Sequence, residues 1–173
     1  MGLVPGIDTT VKGFSMEPAS VCRGRAPVID WSFDYFASKT QGNRLPSRRD
    51  LNPIELPSIL PEVAILQPLY TDDCKLVDAK VLLLGTDLDR FYGAFTGKNI
   101  SEHPNHEVFD RTMQAGQYAI QIREPIFVNT VTLSVSKTQI TVAALYVPMS
   151  EDGITIDRLF VHNHMIHKDR VGG

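Results

Sequence analysis

The chain has 173 residues, 43% of them hydrophobic, and a formal net charge of −3 at pH 7. A domain of that length buries roughly 70% of its unfolded surface, so a core alone can hold it without disulfides or a structural metal. The mild acidity removes the electrostatic case for nucleic acid or an anionic membrane surface as a partner.

Two cysteines, Cys22 and Cys74, lie far apart with no CxxC motif. They read as free thiols in a reducing compartment. No apolar run approaches the ~18 residues of a membrane span, and no basic start leads into an apolar stretch. A cytoplasmic protein with no membrane partner is the expectation.

Residues 1–26 mix Gly, Pro, Ser and isolated apolar residues without periodicity, which predicts a flexible N-terminal arm. From residue 27 the spacing turns helical: Val28, Trp31 and Tyr35 form one row, and Ile29, Phe33 and Phe36 another. Pro27 suits a first turn and Gly42 a stop, so a helix is expected over 27–41. Four aromatic side chains on one short helix need a cover, either the rest of the domain or a second copy of the chain.

The stretch "GNRLPSRRDLNP" follows. Asn52, Pro53 and Glu55 are placed as N-cap, first-turn proline and capping-box partner, so the stretch reads as a stiff corner. "VAILQPLY" and "AKVLLLG" around "TDDCK" predict an antiparallel hairpin. Gly85, Gly93 and Gly97 then break the chain into short helical turns, and they match neither GxxxxGK[ST] nor GxGxxG. A longer helix is expected over about 105–115, with Val108, Phe109, Thr112 and Met113 on its inner face and Gly116 closing it. Three β-rich runs, "REPIFVNTVTLSV", "QITVAALYVPM" and "IDRLFVHNHMI", complete the chain with connections short enough for an antiparallel meander.

Catalytic and cofactor motifs are missing: there is no GxSxG, no HExxH, and no cysteine in a flavin- or haem-attaching context. His162, His164 and His167 could together present imidazoles to zinc or copper. The expectation is nonetheless that no metal binds there. The face carrying Leu159 should be the interior, which leaves His162 and His164 toward the N-terminal helix or a neighbouring chain. His103 and His106 flank Pro104 at a helix start, where capping accounts for them.

Four stretches carry a family resemblance. They are the aromatic helix ending in "GNRLPSRRDLNP", then "LLLGTDLDRFYGAFTGKNI", then "MQAGQYAI", then "ALYVPMSEDGITIDRLFV". Together they resemble the compact, single-domain PAS-like proteins common in alphaproteobacteria, over Trp31 to about Ile166. The resemblance implies an α+β fold: a five-stranded antiparallel sheet with helices inserted after the second strand, preceded by the aromatic helix. The domain would span 27–168 and end in a disordered tail, 169–173. It further implies a stand-alone bacterial sensory module that binds a small ligand or a signalling partner without catalysis, and a homodimer through the N-terminal helix. The cofactor stays unknown. Leu82, Leu84, Phe109, Met113, Leu145 and Val147 are the candidate ligand pocket, or else the core. The alternatives are a small enzyme with a helix-lined cavity on a curved sheet, and a metal-binding protein using the three C-terminal histidines.

Overall fold

The computed structural model describes residues 14–133 and 139–167. The connection expected at 136–138, the first half of the N-terminal arm and the tail at 169–173 lie outside the described residues. The elements, in chain order, are β1 (Phe14–Pro18), α1 (Pro27–Thr40), β2 (Val63–Tyr70), β3 (Leu76–Leu84), α2 (Thr86–Tyr92), α3 (His106–Ile122), β4 (Ile126–Leu133), β5 (Gln139–Met149) and β6 (Arg158–His167). Short 3₁₀ turns join several of them.

The six strands among the described residues form one antiparallel sheet in the order β1-β4-β5-β6-β2-β3. The fold is therefore α+β, with one strand more than the five expected. The additional strand comes from the segment expected to be a loose arm. Phe14 to Pro18 pair with Thr130 to Ile126 and cover the open edge of β4. Phe14 and Met16 alternate with Ser15 and Glu17 and pack against the core, but two apolar residues in a five-residue run are too few to announce a strand.

Each face of the sheet is covered. On one side α1 buries Ile29 and Phe36 against Leu145, Val147 and Phe160, with the Phe36 and Phe160 rings 4.8 Å apart and edge-on. That is the cover the aromatic helix needed, and it is supplied by its own sheet; Trp31 remains 44% exposed. On the other side α2 and α3 close over Leu66, Val81, Val128, Ala144, Tyr146, Leu159 and Val161. The helix α1 ends on Gln41, whose left-handed φ of 53° turns the chain one residue before the expected glycine.

The corner after α1 is built as the residue types foretold, with different pairings. Asn52 Oδ1 accepts from the Ile54 N–H, but Glu55 does not return the capping-box bond. Its carboxylate instead accepts from Lys39 Nζ and Tyr35 Oη, tying the corner to α1. The capping box forms earlier, between Ser47 and Asp50. Arg44 donates to both carboxylate oxygens of Asp50, at 2.7 and 2.9 Å, and to the carbonyl of Lys39 at the end of α1.

The helix α3 runs seven residues past the expected stop to Arg123, which takes the left-handed capping conformation. Gly116 lies inside it and is buried. A Cβ at that position would sit 3.2 Å from Leu159 Cδ1, so the glycine allows close approach of helix and sheet where termination was expected.

Candidate functional site

The six residues expected as a ligand pocket, or else as the core, are divided by the sheet. Leu145 and Val147 are fully buried but point to α1. Leu84 and Phe109 pack on the opposite side, against the cluster beneath α2 and α3. Leu82 falls where the β2–β3 register shifts, between the pairs Ile65–Leu83 and Leu66–Val81, and joins neither cluster. Met113 lines a shallow surface depression beside Met16 and Leu76. The reason is the central position of β5: it is buried on both faces, so alternation cannot tell which set of side chains looks which way.

The residues of β5 that do face the helices are Val142, Ala144 and Tyr146. With α3 they enclose a cavity of about 90 Å³, which Phe14, Glu107, Arg111 and Val128 also line. A second cavity of about 60 Å³ lies beside it, toward α2, bounded by Leu66, Leu84, Leu88, Phe95 and His103. Both share Tyr92, Val108, Thr112, Tyr146 and Asn163 as walls, so they adjoin as two lobes on either side of these residues, between sheet and helices.

Its lining is apolar with a few polar groups that converge. Burial pushes both phenols up, Tyr92 to about 12 and Tyr146 higher still, so both stay protonated as possible donors. His103 Nδ1 accepts from the Asn105 N–H at 3.0 Å, which leaves its Nε2 to donate to the Tyr92 carbonyl at 2.8 Å. These two bonds orient the ring as part of the wall and tie it to Tyr92, the last residue of α2. Glu107 is the outlier. It is 0% exposed, among the described residues neither carboxylate oxygen has a hydrogen-bond partner, and its nearest counter-charge there is Arg111 Nη2 at 3.5 Å. Burial pushes the Glu107 carboxyl up, and the Arg111 charge partly offsets that.

A second polar cluster lies on the α1 side. His162 is fully buried; its Nδ1 is 2.7 Å from Ser32 Oγ and its Nε2 is 2.8 Å from Glu62 Oε1. Glu62 also reaches His164 Nδ1 at 3.0 Å. The two histidines thus face α1 as their alternation with Leu159 and Val161 indicates, although His162 is sealed inside. Among the described residues no group of three or more His, Cys, Asp or Glu side chains is arranged to hold a metal. The side chain of His167 lies outside the described residues.

Ser32, His162 and Glu62 have the composition of a nucleophilic triad. Ser32 is only 1% exposed and sits on the face of α1 pressed to the sheet, where no substrate reaches its hydroxyl. The cluster fastens α1. One arrangement satisfies every group: Ser32 O–H donates to Nδ1, and Nε2–H donates to Glu62. Sequence reading missed Ser32 and Glu62 because they lie 130 and 100 residues from His162. It missed Glu107 because an acidic residue in a first helical turn usually faces solvent.

Cys22 is a buried free thiol and Cys74 an exposed one. No helix among the described residues is long and apolar enough to cross a membrane.

No family model matches the chain, and no curated protein matches it. Among solved structures it is similar to one titled "Structure of an RNA-binding Light-Oxygen-Voltage Receptor", at 15% identity and a TM-score of 0.39. The match covers 91% of this chain and 40% of that one.

Proposed function

We propose that this chain is a PAS-like regulatory module that takes a small molecule into the two-lobed cavity between the sheet and α2/α3. The observation that carries this reading is the cavity itself. Its lobes of about 90 and 60 Å³ lie at the place where helices inserted between strands meet a curved sheet. Together they approach the roughly 150 Å³ at which an apolar cavity admits benzene. A few convergent polar groups in an apolar wall are the usual make-up of a small-ligand site.

The lobes have room for a compact ligand and not for a flavin or haem. Phe14 of β1 and Tyr92 of α2 both line the larger lobe, so occupancy would bear on an edge strand and on a short helix. These are the elements through which a bound molecule would be reported to a partner. The module acts by binding and not by catalysis, in the cytoplasm. Trp31, stacked on Tyr35 at 5.9 Å and 44% exposed, is where a second copy or a signalling protein would contact α1.

The test is an NMR titration of the full chain with benzene, toluene and indole, beside native mass spectrometry of the protein as purified from cells. Shifts should concentrate at Val128, Ala144 and Tyr146 and spare Leu145 and Val147 on the opposite face. Ala144→Phe should abolish them. A spectrum that responds to none of the three, with no retained molecule, would sink the reading.

A further inference from the structure

Glu107 has no structural partner equal to its cost. Burying a carboxylate is tolerated when hydrogen bonds or a close ion pair replace its water. Here both oxygens are unpartnered among the described residues, and Arg111 Nη2 at 3.5 Å lies beyond a good charge-assisted bond. Arg111 is itself occupied elsewhere, with its guanidinium 5.6 Å from the centre of the Phe14 ring. A carboxylate serving only the dipole of α3 would sit in solvent, yet this one is 0% exposed and lines the larger lobe. Meanwhile Asn105 Oδ1 already accepts from the Glu107 N–H, so the helix start is capped without it.

Resting on the cavity reading above, we propose that Glu107 is the ligand-recognising residue, and that the ligand is a small neutral molecule bearing an O–H or N–H donor on an apolar body. The donor reaches the free oxygens of Glu107, while Phe14, Tyr92, Val128 and Tyr146 pack the body. Charge decides for a neutral ligand. Glu107 and Arg111 together sum to zero, so an ammonium or carboxylate ligand would leave a net charge buried in an apolar lobe. A neutral donor adds none and satisfies an acceptor that otherwise stays orphaned.

Phenol and toluene separate the two claims, since they share a shape and differ in one donor. A purely apolar cavity binds toluene better, because phenol loses its water bond on entry. In NMR titrations of the full chain, phenol is expected to bind more tightly than toluene. Glu107→Leu should swing the ratio of the two dissociation constants at least tenfold toward toluene, while Glu107→Gln, which keeps an acceptor, holds most of the preference. If Glu107→Leu does not fold, the wild-type ratio still decides. Toluene binding better than phenol, or a ratio untouched by Glu107→Leu, overturns the role of Glu107 and leaves the cavity standing. Binding of neither probe overturns both.

Discussion

At the scale of single residues, the two polar clusters make opposite demands. The imidazole of His162 has an ordinary value of 6.5, and burial pushes it down, while the Glu62 carboxylate opposes this and His164 adds to it. Below pH 6.5 the unfolded chain therefore takes up a proton that the folded chain resists. Stability from this group is fully present above pH 6.5 and declines as the pH falls toward the lower folded value. Urea midpoints should fall between pH 6.5 and 5, and His162→Gln should flatten that part of the curve; parallel curves would assign the loss to other groups. At pH 7, His162→Ala should cost about 2–4 kcal/mol, since it opens a cavity and orphans Ser32 and Glu62. Asp50 behaves in the other sense. The Arg44 hydrogen bonds hold its carboxyl down at about 2, against an ordinary 3.8. Its contribution is present above pH 3.8 and is lost as acid brings the pH down to 2. Asp50→Asn should cost about 2 kcal/mol at pH 7 and nothing at pH 2, read by urea unfolding at each pH.

At the scale of elements, close approach sets the helices. Ala115 and Ala119 are 0% exposed, and Gly116 between them meets Leu159, so this stripe of α3 lies almost on the sheet. The larger residues Val108 and Thr112 stand over the cavity, one turn or two nearer the N-terminus. Small residues where the helix touches and larger ones where it stands away leave the space open. Ala115→Leu should overpack this contact and cost about 1–3 kcal/mol, measured by urea unfolding. Gly85 is a sharper case. Its φ of −63° suits any residue, but a Cβ there would land on the backbone carbonyls of Leu60 and Pro61. Backbone yields less readily than a side chain, so Gly85→Ala should destabilise by about 3 kcal/mol and shift α2. A neutral Gly85→Ala would show that this approach is not tight.

At the scale of the whole molecule, β1 links the chain's start to its cavity. It covers the β4 edge from Ile126 to Thr130, and Phe14 forms part of the wall. Removing residues 1–18 should expose that edge, lower the thermal midpoint and promote concentration-dependent association by light scattering. It should also weaken the binding of phenol proposed for the larger lobe, where Phe14 and the Arg111 guanidinium meet. A truncated chain that stays monomeric with unchanged melting would show β1 to be dispensable.

Several elements could be read without the fold. The α1 helix, the β2–β3 hairpin and the three C-terminal strands show themselves through spacing, since a buried stripe must repeat at the period of its backbone. The face of β6 carrying His162 and His164 follows from the same rule. Other features are settled only by what packs where. β1 exists because β4 has an edge to cover. Gly116 continues a helix because Leu159 lies beneath it, and Leu145 and Val147 face α1 because β5 is covered on both sides. The set Leu82, Leu84, Phe109, Met113, Leu145 and Val147, expected as pocket or core, is divided between the two faces for that reason. Residue type and local period, which the chain carries in itself, determine helix, strand and turn. The pairing of Ser32 with His162, and the burial of Glu107 without a partner, depend on contacts between distant segments, and tertiary structure alone decides them.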